Sequence, residues 1–289
     1  MFSIIIPTFN NLEYLKICIN SIKKNSKFDH ELIFYINEGK DGTLDYLKKN
    51  NFKYIYSEFN QGVCVAFNRA VEASSSKYIV LGHDDMYFCP EWDNIFYNEI
   101  NKLPNNKDFF LSGTMVQPFE SYINLDCGKT YSDFDEEKLL KKLPEIKFND
   151  FQGTHWQPSL IPVTTWNKVG GFSEEFSPGL GSDPDFNMKL WKIGVRIFKG
   201  LSNCRVYHFS SISLRKKAWN SGSQTFLLKW GISIKFFKKF YLRSNTAYDG
   251  PLEELNKSFF YYTSLLKCKI SFFYLKLLQK FMIKNKFKF

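Results

Sequence analysis

The chain of 289 residues is 44% hydrophobic and 24% charged, a balance that excludes a disordered or a fibrous protein. Its six cysteines are too far apart for a zinc knuckle or a dense disulfide framework, so we expect reduced thiols in a cytoplasmic protein. The first residues lack the features of a signal peptide, and lysines interrupt the longest apolar stretches. We therefore expect neither export nor a membrane-spanning helix.

The net charge of +10 is divided unevenly along the chain. Residues 212–289 contain 16 Lys or Arg and 3 Asp or Glu, whereas residues 1–211 contain 23 and 26. This shift predicts two parts, an acidic body at 1–211 and a basic extension at 212–289.

Apolar runs alternate with helical patterns through the first part of the body. The runs at 2–6, 31–36, 54–57, 78–81 and 109–111 are typical of buried strands, and the segments between them have apolar residues at helical spacing. This alternation predicts βαβ units and a mainly parallel sheet. Ligands of such sheets bind beyond the carboxyl ends of the strands.

Polar residues follow three of these runs, in segments 7–10, 37–43 and 82–86. Turn formation and helix capping would explain most of them. Asp84 and Asp85 are less easily explained in this way, because two adjacent carboxylates after a buried run repel each other. A divalent cation with oxygen ligands would offset that repulsion.

A second acidic cluster precedes a helical pattern that stops at Gly194. We predict Asp183 as the N-cap of this helix, with Pro184 at its first position and Asp185 near its positive end. The alternative is that one carboxylate acts as a base. Two short strands are expected at 196–198 and 205–207, and the second leads to His208, a residue type that most often serves only in hydrogen bonding.

Six segments, in this order, closely resemble the motifs of the family 2 glycosyltransferases of the GT-A fold. They are SIIIPTFN, NEGKDGT, NQGVCVAFNRAVEASSSKYIVLGHDDM, WNKVGGFSEEF, GSDPDFNMKLWKIG and VYHFS. The resemblance covers about residues 2–210 and implies a Rossmann-like α/β fold. It also implies an inverting transfer of a sugar from a nucleoside diphosphate sugar to an acceptor hydroxyl, with Mn²⁺ or Mg²⁺ bound at a DxD-type motif.

The resemblance further implies roles for individual residues. Asp183 corresponds to the catalytic base, and Asp85 and His208 correspond to metal-binding residues. The positions that correspond to donor-nucleotide binding are Pro7, Thr8, Asn10, Asn37, Glu38, Asp41, Gly62, Asn68 and Asp84. The family usually has Asp-Asp where this chain has Asn37-Glu38, which leaves the base preference open.

Acceptor recognition is expected mainly from residues 113–160, which connect the predicted sheet to the proposed catalytic base, Asp183. We predict His155, Trp156, Gln157 and Asp185 as acceptor-binding residues, because aromatic faces beside hydrogen-bonding groups suit a sugar ring. Tyr122 and Tyr131 lie in the same connection. Core or loop packing is the alternative for each of them.

The basic extension mixes lysines with aromatic and aliphatic residues. Lys269, Lys276, Lys280 and Lys284 share one face of a predicted helix, and residues 232–243 have a similar composition. These patterns predict helices that lie at the anionic inner face of a membrane, near lipid-linked acceptors. The alternative is packing on the body or on another subunit. Nucleic-acid binding is not expected, because arginine is scarce and no RNA- or DNA-binding motif occurs.

The sequence thus predicts a metal-dependent inverting hexosyl- or deoxyhexosyltransferase that acts on a glycan or a lipid-linked glycan. A sugar-1-phosphate nucleotidyltransferase is a rival, but its Gly-rich phosphate loop is missing. The other rival is a non-catalytic carbohydrate-binding protein, which the retained Asp85, Asp183 and His208 disfavour. The oligomeric state is left open.

Overall fold

The structure, a computed structural model, describes residues 1–104, 107–119, 123–210 and 221–286, with side chains to residue 280 in the last range. Within these ranges, ten strands form one mixed sheet. The strands are β1 (Ser3–Phe9), β2 (Glu31–Asn37), β3 (Lys53–Ser57), β4 (Tyr78–Leu81), β5 (Met86–Phe88), β6 (Phe109–Gln117), β7 (Ile123–Asn124), β8 (Phe151–Gln152), β9 (Ser159–Pro162) and β10 (Ile197–His208).

The main strand order is β3-β2-β1-β4-β9-β6-β10-β5. The predicted parallel arrangement is confirmed for β3, β2, β1 and β4, and β6 is parallel to β10. Strand β9 is inserted antiparallel between β4 and β6. The sequence pattern did not indicate β9, since the segment Ser-Leu-Ile-Pro is too short to show a periodicity.

Helices cover both faces of the sheet. They are α1 (Leu12–Asn25), α2 (Thr43–Lys49), α3 (Gly62–Glu72), α4 (Trp92–Lys102), α5 (Glu136–Lys142), α6 (Val163–Val169), α7 (Ser182–Lys192), α8 (Gly222–Trp230), α9 (Ile234–Phe236) and α10 (Phe259–Lys286). Helices α1, α2 and α4 bury their apolar residues in one core cluster, and α3, α6, α7 and α8 do so in another. The result is a three-layer α/β architecture, as expected when both faces of a sheet are apolar.

Two strands differ from the sequence prediction in ways that affect the site. Strand β1 continues through Pro7 and Thr8 to Phe9, so both residues lie in the strand and not after it. Residues 197–208 form one strand instead of two, with an irregular register between Gly200 and Arg205. The irregularity interrupts the pairing without ending the strand, because β6 continues beside it.

The C-terminal region packs on the body. Phe226, Phe236, Phe237 and Leu242 are buried in the same cluster as Phe186 of α7. Residues 232–243 therefore follow the alternative interpretation, packing on protein, and not that of a membrane-surface helix. The predicted boundary at 211/212 lies outside the described residues and stays a prediction. In the described part of the chain, no helix is long and apolar enough to cross a membrane.

Candidate active site

Two adjacent carboxylates lie at the carboxyl edge of the sheet, in the turn between β4 and β5. Asn11 Nδ2 donates to Asp84 Oδ1 at 3.0 Å. Burial raises the pKa of Asp84, and the charge of Asp85 raises it further, while Thr8 and Asn11 act in the opposite direction. Two adjacent carboxylates that are poorly solvated and repel each other attract a cation strongly.

Strand pairing brings His208 to this acidic pair. The register of β5 against β10 aligns His208 with Met86, the residue after Asp85, and His208 Nε2 lies 3.2 Å from Asp85 Oδ1. Burial lowers the pKa of His208, but the two nearby carboxylates more than offset this effect and the pKa is raised. The Gln117 amide contacts the other ring nitrogen, Nδ1, at 2.7 Å, so the orientation of the ring is fixed from both sides.

A chain of side-chain contacts connects the acidic pair to Asp183. The ring centroids of His208 and His83 lie 6.0 Å apart, and His83 Nε2 is 3.3 Å from Gln157 Oε1. Gln157 Nε2 in turn donates to Asp183 Oδ1 at 2.9 Å. Residues from four distant parts of the sequence, at 83–85, 157, 183 and 208, thus form one continuous cluster.

The Asp183 carboxylate does not cap its helix. The N-cap is Gly181, in a left-handed conformation (φ 84°), and Asp183 is the second residue of α7. The N-cap prediction was therefore wrong, since glycine adopts this φ without strain and the helix begins earlier. Burial raises the pKa of Asp183 to about 6, and the hydrogen bond from Gln157 limits the increase.

The first two loops at this edge are joined by hydrogen bonds. Asn10 Nδ2 donates to Glu38 Oε2 at 3.3 Å, and Lys40 N donates to Asn10 Oδ1 at 2.7 Å. Lys40 also forms an ion pair with Glu38 and lowers its pKa. Thr8 and Asn37 are buried beside these loops, so the predicted donor-binding residues of β1 and β2 lie at the same edge.

Three other predicted donor-binding residues have structural contacts. Asp41 accepts hydrogen bonds from Leu12 N at 2.7 Å and from Thr43, and so joins the starts of α1 and α2. A Cβ on Gly62 would lie 3.0 Å from the Pro178 backbone. The Asn68 amide bonds both the N–H and the C=O of Phe172. Their roles in donor binding stay predictions.

The predicted acceptor-binding residues fall into two groups. Gln157 contacts Asp183, and His155 and Trp156 follow β8 with their rings in edge contact at 4.8 Å. Asp185 instead points away from this group, fully buried, and accepts hydrogen bonds from Ser173 at 2.7 Å and Trp230 at 2.8 Å. These contacts favour a structural role for Asp185. Tyr122 lies outside the described residues.

Three residues in or beside this cluster were absent from the predicted set: Asn11, His83 and Gln117. His83 directly precedes the acidic pair, so its position was a usable signal. Asn11 and Gln117 act through partners 73 and 91 residues away in sequence, and no local pattern indicates such a contact.

The donor set at the acidic pair fits Mn²⁺ or Mg²⁺ when substrate oxygens complete the coordination shell. Among the described residues, no group of three or more His, Cys, Asp or Glu side chains could hold a metal by itself. Asp85 and His208 provide one carboxylate and one imidazole, which suit Mn²⁺ when combined with phosphate oxygens.

Known glycosyltransferases are similar to this chain in sequence. Residues 3–122 match the family described as glycosyl transferase family 2. The chain is 27% identical to a hyaluronan synthase of Pasteurella multocida over 221 residues, which are 74% of this chain and 21% of that protein. It is 30% identical to an uncharacterized glycosyltransferase of Rickettsia prowazekii (strain Madrid E) over 201 residues, 68% of this chain and 60% of the relative. The chain thus spans only part of these relatives.

Crystal structures of TarS from S. aureus share the fold. The fragment 1–349 superposes with a TM-score of 0.57 and 16% identity, over 85% of this chain and 66% of that one. A structure of the same fragment in complex with UDP-GlcNAc gives a TM-score of 0.56, with 17% identity over 85% and 67% of the two chains. This likeness confirms the predicted α/β fold of the GT-A type.

Proposed function

Because the chain belongs to the family 2 glycosyltransferases through residues 3–122, we propose that it is an inverting glycosyltransferase. It moves a sugar from a nucleoside diphosphate sugar to a hydroxyl of a glycan or lipid-linked glycan. The cluster that runs from Asp85 through His208, His83 and Gln157 to Asp183 is the observation that carries the proposal. It joins the two halves that such a reaction requires, a diphosphate site and a base.

The donor site is formed by the loops after β1, β2 and β4. The TarS complex contains UDP-GlcNAc, which supports a nucleotide-sugar donor here. Asn10 and Glu38 are tied together at 3.3 Å, so the two loops can present one surface to the nucleotide. The names of relatives, hyaluronan and chondroitin synthases, support a glycan acceptor.

The proposed enzyme depends on Mn²⁺ or Mg²⁺, which Asp85 and His208 would hold together with diphosphate oxygens. A bound divalent cation supplies charge stabilisation to the departing diphosphate. Gln117 keeps the His208 ring in place through Nδ1, and Asn11 holds the Asp84 carboxylate. Asp84 is then available to the ribose or the sugar.

Asp183 is the proposed general base. Its pKa of about 6 still leaves the carboxylate mostly ionised at neutral pH, and the increase makes it a better proton acceptor than an exposed Asp. Gln157 holds one carboxylate oxygen, Oδ1, at 2.9 Å. The other oxygen remains for the acceptor hydroxyl, which attacks the anomeric carbon on the face opposite the diphosphate.

The last part of the proposal concerns the location of the enzyme in the cell. Lipid-linked acceptors would be met at the inner face of a membrane, and we assign the enzyme to the cytoplasm as a peripheral protein of that surface. Lysine-rich helices favour an anionic surface.

A panel of nucleoside diphosphate sugars with and without Mn²⁺ tests the function. A cognate donor at about 100 times its Kd stabilises the fold by about 2.7 kcal/mol, which thermal unfolding detects. We expect such a shift with Mn²⁺, slow donor hydrolysis, and loss of the metal-dependent shift in Asp85→Asn. Formation of a nucleotide sugar from a sugar 1-phosphate, or glycan binding without donor hydrolysis, would contradict the proposal and favour one of the rivals.

A further inference from the structure

One face of α10 attaches the helix to the body. Its residues recur at intervals of four and three: Tyr261, Leu265, Cys268, Phe272 and Leu275. Tyr261 and Cys268 are buried, and the ring centroids of Tyr261 and Phe236 lie 5.1 Å apart. This face is therefore already occupied by protein.

The opposite face of α10 is apolar and exposed. We call it the outer stripe; it consists of Phe259, Tyr262, Leu266, Ile270, Phe273 and Leu277. Each of these side chains is at least 55% exposed, and their spacing of three or four places them along one line of the helix. A contiguous apolar surface of this length marks an interaction site.

Lysines border the outer stripe. Lys269, Lys276 and Lys280 are exposed along one side of it, and Lys267 is exposed on the other. The helix sequence contains no Asp or Glu. An apolar line bordered by cations matches the interface of an anionic bilayer. There the acyl chains surround the apolar side chains, and the anionic headgroups contact the lysines.

We propose that α10 lies on an anionic lipid surface through the outer stripe, with Lys267, Lys269, Lys276 and Lys280 at the headgroups. A second copy of the chain fits less well, since two such helices would bring their lysines together without an acidic partner. The helix lies on the membrane and does not cross it, in agreement with the described helices being too polar to span. The proposal specifies the membrane partner of the proposed enzyme.

Sedimentation of the full chain with vesicles tests the proposal. We expect binding at low salt to phosphatidylcholine vesicles that contain about 30% phosphatidylserine, little binding to phosphatidylcholine alone, and release at about 0.5 M salt. Replacing Lys269, Lys276 and Lys280 by Gln should weaken binding about a hundredfold, at about fivefold for each lysine. A matched control replaces Lys48, Lys49 and Lys77, exposed on the body, and should bind like the original protein.

A second variant tests the outer stripe. Leu266→Gln, Ile270→Gln and Leu277→Gln keep good helix formers at exposed positions, so circular dichroism and the melting temperature should be unchanged while vesicle binding is lost. Failure of the full chain to bind anionic vesicles, or equal binding by either variant, would overturn the proposal. So would a dimer in light scattering that the stripe variant dissociates. Vesicle binding is measured without turnover, so this result is independent of whether the chain transfers a sugar.

Discussion

At the residue scale, the ionised carboxylate of Asp183, the proposed base, carries a cost to stability. Its folded pKa of about 6 exceeds the ordinary value, so the folded state favours the protonated carboxyl and loses stability as the pH rises toward 6. Asp183→Asn removes this cost. We expect transfer to be abolished, and the free energy of unfolding at pH 7 to increase by about 1–2 kcal/mol after allowance for partial solvent exposure.

Thermal unfolding of both proteins at pH 4 and pH 7 checks this prediction. The difference should be present at pH 7 and small at pH 4, where the original carboxyl is also protonated. Donor binding should be nearly unchanged in the variant. Robust turnover by Asp183→Asn would remove the base assignment.

Gln157 is expected to act as a positioning residue for Asp183. Gln157→Met preserves the length of the side chain but removes the hydrogen bond to Asp183 and the contact with His83. The pKa of Asp183 should rise, because the Gln157 amide lowers it. We expect kcat to fall about tenfold or more at pH 7, the acid limb of the pH-rate profile to move to higher pH, and the donor KM to stay constant. A change in KM with an unchanged pH profile would indicate a packing role only.

The family resemblance predicts Asp85, Asp183 and His208 as site residues, but it does not predict how they are connected. Gln157 and His83 lie 74 residues apart in sequence, and their contact depends on the pairing of strands that single-sequence patterns do not specify. The N-cap prediction for Asp183 failed for a local reason. The Asp-Pro pair is typical of a helix start, yet a glycine at positive φ begins this helix two residues earlier.

At the scale of elements, strand identity was more predictable than strand pairing. Continuous apolar runs indicated β1, β2, β3, β4 and the start of β6, because a buried parallel strand needs no alternation. Strand β9 and the full length of β10 depend on their neighbours. Their hydrogen bonds, and not their own composition, make them strands.

The junction between α7 and α8 offers a test of how elements support the site. A methyl group on Gly222, the first residue of α8, would overlap the Leu180 carbonyl in the loop before α7. Gly222→Ala should therefore displace this loop and with it Asp183. We expect a loss of about 1–3 kcal/mol in stability and a larger relative fall in kcat than in donor affinity.

Gly250→Ala is a suitable control, since no atom lies near its missing Cβ, although its positive φ of 120° adds some strain of its own. Both variants are assayed at a temperature where they stay folded. A fall in kcat then reflects displacement of Asp183 and not unfolding. Equal kcat values for Gly222→Ala and the original protein would show that the α7–α8 contact does not position Asp183.

At the scale of the whole molecule, the basic extension and the acidic body share one core cluster. Part of the basic extension packs into the same core cluster as α7, so it cannot be detached from the body without exposing apolar surface. Among the described residues of the extension, the outer stripe of α10 is an exposed apolar surface that a partner can cover. The composition shift predicts a second functional part, and this stays a prediction; the packing shows which of its described segments are buried and which are exposed.

This arrangement predicts a difference between acceptors. If α10 holds the enzyme on the membrane, a lipid-linked acceptor in anionic vesicles meets the site at a raised effective concentration, whereas a soluble acceptor with the same glycan does not. The variant Leu266→Gln, Ile270→Gln, Leu277→Gln should then lose at least about tenfold in kcat/KM with the lipid-linked acceptor and remain unchanged with the soluble one. Initial rates measured at subsaturating acceptor give both values. A parallel loss with both acceptors would instead mean that the outer stripe supports the fold of the site, because membrane attachment cannot affect a reaction that takes place in solution.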